Sequence, residues 1–303
     1  MNALEVHKLS KRFGSFQAVD GVSFVIPEGV IFGLLGRNGA GKTTTIRMLM
    51  NIYEPDSGAI SFRGSPIDQD FRNRVGYLPE ERGLNTRLRV LDTLLYLAEL
   101  KGKQGAAVKE KAMAYLSRFE LDTRVKNKVQ ELSKGNQQKI QFISTVLHEP
   151  DFIILDEPFS GMDPVNVNLF KDIILEQKRE GRAIIFSTHL MEFAEKMCDH
   201  IALIHRGRLL LTGPLAEVKQ RFSARNVVLH YEGSIEFTRT LPYVRKLQDY
   251  GNNASIEIAE RSDGQRLLHD LLAHGVTVRK FDANDISLND IFLSQTGSKG
   301  DEL

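Results

Sequence analysis

Cysteine occurs once in 303 residues, at Cys198, which excludes an internal disulfide framework and suits a reducing compartment. No apolar run comes near the roughly 18 residues that a membrane-crossing helix needs. The longest runs, such as Phe152-Ile153-Ile154-Leu155, have the length of buried strands. Neither sign of charge is in excess: 40 basic and 39 acidic side chains leave a formal +1. No nucleic-acid partner is therefore expected, because such binding leans on clustered Lys and Arg. Tandem repeats, low-complexity tracts and the sustained heptads of a coiled coil are also missing. The opening Met1-Asn2-Ala3-Leu4-Glu5-Val6-His7-Lys8 is polar and mixed, unlike a secretory signal. His230, His269 and His274 are too scattered to read as a metal site. A chain of this kind that served a membrane would do so from the cytoplasmic face, through a partner.

What is present is enough apolar content, 42% of residues, for one large domain and a small one with substantial cores. Val30-Ile31-Phe32-Gly33-Leu34-Leu35 is an apolar run that ends in a glycine-rich loop. Behind the loop, Lys42 to Tyr53 reads as a helix, with Ile46, Leu49, Met50 and Tyr53 on one face. Pro55-Asp56-Ser57-Gly58 is turn chemistry, and Ala59 to Arg63 reads as a strand. Residues 88–135 read as a helical insertion, carried by Leu91, Leu94, Leu95 and Leu97 and by Ala112 to Phe119. Strands are expected again at Phe152–Leu155, Ala183–Ser187 and Ile201–His205. Strands alternating with helices imply an α/β fold with a parallel sheet covered by helices. Gly213-Pro214 and a charged stretch mark a boundary, placing a first domain at 1–220 and an α+β appendage at 221–303. In the appendage the expected strands are Val227–Tyr231, Ser255–Ile258 and Val276–Phe281, with helices around Leu267–Leu272 and Ser287–Ser294.

Gly36-Arg37-Asn38-Gly39-Ala40-Gly41-Lys42-Thr43 fits the phosphate-binding pattern G-x-x-x-x-G-K-[ST], after a strand and before a helix as the pattern requires. Glycines let backbone N–H groups curl around phosphate oxygens, and the helix N-terminus behind them favours anions. Lys42 offers a point charge to the β- and γ-phosphates, and the Thr43 hydroxyl can ligate Mg²⁺. Ile153-Ile154-Leu155-Asp156-Glu157 is a buried strand that ends in two acids, and the carboxyl ends of parallel strands face the ligand crevice. Asp156 is placed to hold Mg²⁺, and Glu157 to act as general base on an attacking water. His189 follows the strand ending Ile185-Phe186-Ser187-Thr188, where a polar group can reach the γ-phosphate.

With these residues in hand, the first 220 or so positions resemble the ATP-binding subunits of ABC transporters, a P-loop NTPase fold. Leu132-Ser133-Lys134-Gly135-Asn136-Gln137-Gln138-Lys139 looks like the ABC signature and stands ahead of the Asp156-Glu157 strand. Tyr77-Leu78-Pro79-Glu80 looks like the Q-loop region, Ser160-Gly161-Met162-Asp163 like the D-loop, and His189 matches the switch histidine. Phe13 occupies the position of the aromatic that stacks on adenine, and Thr44 joins the P-loop residues that bind ATP. The resemblance implies two such chains head to tail, or one with a homologous ATPase subunit, sandwiching two ATP molecules. Ser133, Lys134, Gly135, Asn136 and Gln137 would then face the partner's γ-phosphate, with Ser133 and the Gly135 backbone donating. Asp163 would join the two sites. Hydrolysis would be coupled to an integral-membrane permease through the helical insertion and Q-loop region.

Two departures from the family pattern matter. Glu80 stands where Gln is usual. It either faces the metal, adding negative charge there, or turns outward to pair with a neighbour such as Arg82. Lys134 and Asn136 stand where Gly and Gln are common, and Lys134 either adds charge near the γ-phosphate or lies in solvent. These variants, with Pro79-Glu80-Glu81-Arg82-Gly83-Leu84 and the ending Ser287-Leu288-Asn289-Asp290-Ile291-Phe292, resemble the branch associated with efflux permeases, whose accessory domain the tail looks like. The other class to weigh is a soluble ABC-type ATPase not dedicated to transport. Such proteins usually carry two ATPase domains with basic linkers, or long coiled coils, and neither is seen here.

Overall fold

A computed structural model describes residues 2–81, 83–223, 226–260, 262–283 and 286–296. The chain divides into two compact units, Met1–Thr212 and Gly213–Leu303. The second unit therefore includes the helix at Leu215–Ser223, which a boundary at residue 220 would divide.

The first unit contains two sheets. One is antiparallel, in the order β2-β1-β4-β5, from β1 (Asn2–Phe13), β2 (Phe16–Pro27), β4 (Ser57–Phe62) and β5 (Ser65–Pro66). The other runs β10-β9-β3-β8-β7-β6. Its members are β3 (Ile31–Leu35), β6 (Val75–Leu78), β7 (Phe152–Asp156), β8 (Ala183–Thr188), β9 (His200–His205) and the edge strand β10 (Arg208–Pro214). The pairs β6–β7, β7–β8, β8–β3 and β3–β9 are all parallel. Every residue of β3, β7 and β8 is buried, as expected of parallel strands covered on both faces, and this is why they read as continuous apolar runs.

Among the described residues, seven α-helices complete this unit: α1 (Lys42–Leu49), α2 (Gln69–Arg74), α3 (Val90–Glu99), α4 (Ala106–Arg118), α5 (Lys134–Leu147), α6 (Pro164–Arg179) and α7 (Met191–Met197). Helices α3 and α4 fill the expected insertion. The first helix ends four residues short of the expected Tyr53. Asn51 adopts φ +52°, and its N–H donates to Met48 O while Ile52 N–H donates to Arg47 O. That is a Schellman stop, in which Asn stands where glycine is usual. Tyr53 lies beyond it, packed against the core. Helix α6 starts where Asp163 accepts from the Val165 and Asn166 N–H groups, with Pro164 in its first turn. The core joins both sheets, with Phe24 stacked on Phe32 at 5.2 Å.

The second unit is a four-stranded antiparallel sheet in the order β12-β13-β11-β14. It comprises β11 (Asn226–Glu232), β12 (Val244–Asp249), β13 (Asn253–Ile258) and β14 (Thr277–Asp282), with helices α8 (Leu215–Ser223), α9 (Asp263–Ala273) and α10 (Leu288–Thr296). A 3₁₀ turn at Glu236–Thr240 joins β11 to β12, and α9 joins β13 to β14. This connectivity is a ferredoxin-like split β-α-β with its first helix reduced to a turn. Val227, Leu229, Ile256 and Ile258 alternate onto one face and pack with Leu267 and Leu271 of α9.

Candidate functional site

The P-loop follows β3, the Asp156-Glu157 pair ends β7, and His189 follows β8. In the order β3-β8-β7 these are neighbouring parallel strands, so their carboxyl ends deliver all three segments to one edge of the sheet. Two P-loop glycines are required by close approach. A Cβ at Gly36 would stand 2.3 Å from Ile204 O, and one at Gly41, where φ is +107°, 2.5 Å from Ala18 O. Gly39 has φ +77°. Ala40 is buried, and its carbonyl accepts from Gly207 N–H.

Asn38, Gly39, Gly41, Lys42, Thr43 and Thr44 line an open cavity of about 440 Å³, to which Phe16, Ala18, Glu80 and Glu157 also contribute. Arg37 is exposed and contributes its carbonyl to the loop. Lys42 is buried; its ammonium donates to Gly36 O at 2.8 Å and Arg37 O at 3.3 Å. It also lies 3.1 Å from Glu157 Oε1, a buried ion pair formed across the cavity wall.

Glu157 is held at its backbone and at Oε2, while its buried Oε1 accepts no hydrogen bond among the described residues and has the Lys42 ammonium near it. Its backbone adopts φ +48°, a left-handed conformation costing about 1–3 kcal/mol that persists only where the surroundings fix it. Its N–H donates to Ser187 Oγ at 2.9 Å, and its Oε2 lies 3.0 Å from His189 Nδ1. Ser187, fully buried, also donates to Asp156 Oδ1 at 2.5 Å, where the Thr43 hydroxyl donates at 3.3 Å. Asp156 Oδ2 is buried with no hydrogen-bond partner. Burial holds the Asp156 carboxyl above the usual carboxylate range, against the hydroxyls of Ser187 and Thr43, and the charges of Glu80 and Glu157 push the same way as burial. An orphaned buried carboxylate oxygen, a hydroxyl beside it and two further carboxylates make a donor set of hard oxygens that fits a divalent cation. Among the described residues no group of three or more His, Cys, Asp or Glu is arranged to hold a metal alone.

Glu80 lines this cavity and an adjoining one of about 230 Å³ that includes Gln138, Gln141 and Asp156. It therefore faces the carboxylates; Arg82, the alternative partner, lies outside the described residues. The neighbouring Glu81 is the one that turns outward, 3.7 Å from Arg47, while its carbonyl accepts from Gln141 Nε2. Phe13 is not among the residues that line the cavity. It sits 44% exposed at the end of β1, edge-on to Tyr53 at 5.4 Å, and Phe16 across the turn lines the cavity instead.

The signature segment stands apart from this cavity. Ser133 caps α5, its Oγ accepting from Asn136 N–H at 3.3 Å, and Gln137 donates to Val129 O and Leu132 O. Ser133, Lys134 and Gly135 are exposed, and a Cβ at Gly135 would meet nothing within 4 Å. None of the five residues lines the cavity. Asp163 is likewise exposed and occupied as a cap, and the N–H groups it accepts, Asn166 first, hold its carboxyl below the usual range. Ser187 is the residue that sequence reasoning misses: its position opposite Asp156 comes from the β7–β8 register, which no local pattern reveals.

A nucleotide-sized cavity on a P-loop, with two acids at the end of β7 two strands away and a signature at the exposed start of α5, is the arrangement of an ABC-type ATPase. The family described as "ABC transporter" matches residues 19–160, and that described as "ATP-binding protein DrrA1-3-like, C-terminal domain" matches residues 213–296. The ABC transporter ATP-binding protein YhaQ of Bacillus subtilis is 41% identical over 295 residues, covering 97% of this chain and 99% of that protein. A Nod factor export ATP-binding protein I of Burkholderia pseudomallei is 30% identical over 299 residues, 97% of both chains. A solved ATP-binding subunit of an ABC transporter superposes with a TM-score of 0.68 at 33% identity, covering 73% of this chain and 93% of its own. This chain belongs to the ATP-binding, ATP-hydrolysing subunits of ABC transporters, in the branch that carries a DrrA-like C-terminal domain. Among the described residues no helix is long and apolar enough to cross a membrane.

Proposed function

We propose that this chain powers an exporter: two copies, or one copy and a homologous ATPase subunit, close head to tail on ATP at the cytoplasmic face of a membrane and drive a separate integral-membrane permease. The observation that carries the reading is the division of the machinery. Lys42, Thr43 and Glu157 line one cavity, with Asp156 bonded to Thr43 and His189 to Glu157, whereas the N-terminus of α5 at Ser133–Gly135 is exposed and contributes nothing to it. A second chain is what would supply the missing wall. Export is supported by the Nod factor export proteins among the relatives and by the DrrA-like second unit.

In this reading the Lys42 ammonium exchanges Glu157 and the loop carbonyls for β- and γ-phosphate oxygens. Glu157, released from Lys42 and still held at Oε2 by His189, takes a proton from the attacking water. Thr43 and Asp156 would hold Mg²⁺, whose charge neutralises the phosphates, and Glu80 would face it. The signature of the second chain presents the Ser133 hydroxyl and the Gly135 N–H, at a helix N-terminus, to the γ-phosphate. ATP then favours the closed pair because it binds that state better, and hydrolysis removes the preference.

Complementation between subunits tests this. Lys42→Ala and Ser133→Arg should each be inactive alone. A mixture should recover ATPase activity, because mixed pairs contain one site with an intact P-loop and an intact signature. If the mixture stays as inactive as its components, the head-to-tail site is wrong.

A further inference from the structure

We propose that the second unit binds a small zwitterion of amino-acid to dipeptide size between the polar face of its sheet and helices α8 and α10. The face of this sheet opposite its apolar core should be solvated if the domain were a passive appendage. Instead it floors a cavity of about 510 Å³ within the second unit, in the range of small-molecule sites. Cross-strand register sets the floor: Asn226 and Lys246 both pair with Glu257, and Ser255 pairs with Gln248 in the next row. Arg221 and Phe222 of α8 form one wall, and Ile286 and Asp290 contribute the other.

The charges of this cavity are balanced and unspent. Arg221 and Lys246 are the cations, and among the described residues neither makes an ion pair. Glu257 stands opposite Lys246 in register, yet the two form no bridge within 4 Å. Asp290 accepts from the Ser287 hydroxyl at 2.6 Å, whereas Glu257 has no such bond among the described residues and is the carboxylate placed on the cavity floor for a ligand ammonium. Ser255 is buried, and its Oγ donates to Asn226 Oδ1 at 3.1 Å. That bond fixes the Asn226 amide with its N–H donors turned away from Ser255, as suits a carboxylate acceptor. Two cations and an amide, the Glu257 carboxylate lying between Lys246 and Asn226, and apolar groups at Phe222 and Ile286 describe a ligand with an anionic end, an ammonium and a short apolar body.

The test is thermal unfolding of the full chain against individual common amino acids and a set of dipeptides such as glycyl-glutamine, each in excess, followed by calorimetry on any that shifts the transition. The expected result is that at least one raises the Tm. Lys246→Met and Glu257→Gln should each weaken its binding at least tenfold while leaving the Tm shift given by ATP unchanged. The ATP shift confirms that the variants are folded, since neither residue belongs to the nucleotide site. The proposal is overturned if none of the probes shifts the transition while ATP does, or if a probe binds both variants as tightly as the parent chain.

Discussion

Replacing Ser187 with Ala should disable the site while touching neither nucleotide nor loop. Ser187 is fully buried and makes two bonds: it donates to Asp156 Oδ1 at 2.5 Å and accepts from Glu157 N–H at 2.9 Å. A hydrogen bond to a charged group contributes about 1.5–3 kcal/mol, and a buried N–H left without a partner costs about 1–3 kcal/mol. The two losses share one atom and do not add fully, so a destabilisation of roughly 2–4 kcal/mol is expected for the nucleotide-free first unit. The effect on turnover follows from position. Glu157 sits in a left-handed conformation that its surroundings impose, and Ser187 is the bond that ties its backbone to β8. Freed of it, the carboxylate drifts, and a displacement of about 1 Å at a reacting group costs on the order of 10²-fold in rate. ATP binding without Mg²⁺ should change little, because Lys42 and the P-loop are intact. Thermal unfolding, nucleotide binding and steady-state ATPase of Ser187→Ala separate these effects. A variant with parental Tm and parental turnover would refute the role given to this hydroxyl.

Asp156→Asn should abolish hydrolysis yet raise the Tm of the nucleotide-free chain near neutral pH. The fold raises this carboxyl above its ordinary value, so its contribution to stability is present at low pH and lost as pH rises through the folded value. The amide removes that cost, and no gain in Tm would contradict it. His148 gives the opposite slope. Burial, helped by Lys101, lowers it from 6.5 to about 4, while its Nε2 bonds Val75 O at 3.2 Å. Stability present above pH 6.5 should therefore fall by about 3 kcal/mol as pH drops to 4, and His148→Gln should flatten that slope in a pH series of unfolding curves. Gly41→Ala should lose nucleotide binding, since its Cβ would meet Ala18 O at 2.5 Å where φ is +107°. Parental affinity in a binding titration would contradict the close approach.

Much of this was legible in sequence because it is local. The P-loop pattern, the apolar runs of β3, β7 and β8 and the acids that end β7 each announce themselves within a few residues, and the parallel α/β fold follows from their alternation. What was not legible depends on register or on competition between caps. Ser187 closes an apolar run and looks like its polar end; only pairing with Asp156 gives it a task. The early stop of α1 is decided at Asn51, where a left-handed cap overrides an apolar face that continues to Tyr53. Strand β12, Val-Arg-Lys-Leu-Gln-Asp, has two apolar residues in six and takes its form from β13 beside it. Phe13 and Phe16 flank one turn; the family pattern points to Phe13, while Phe16, which no motif marks, is the one that lines the cavity.

The central claim is that ATP joins two of these chains. It is tested most directly by light scattering on Glu157→Gln, which keeps the P-loop and signature but lacks the base. With ATP added and Mg²⁺ withheld by EDTA, and again with Mg²⁺ in excess, the account predicts a shift from monomer to dimer that Ser133→Arg, introduced into the same variant, abolishes. A chain that binds ATP and remains monomeric in complex with its permease, or whose dimer is indifferent to Ser133→Arg, would contradict it.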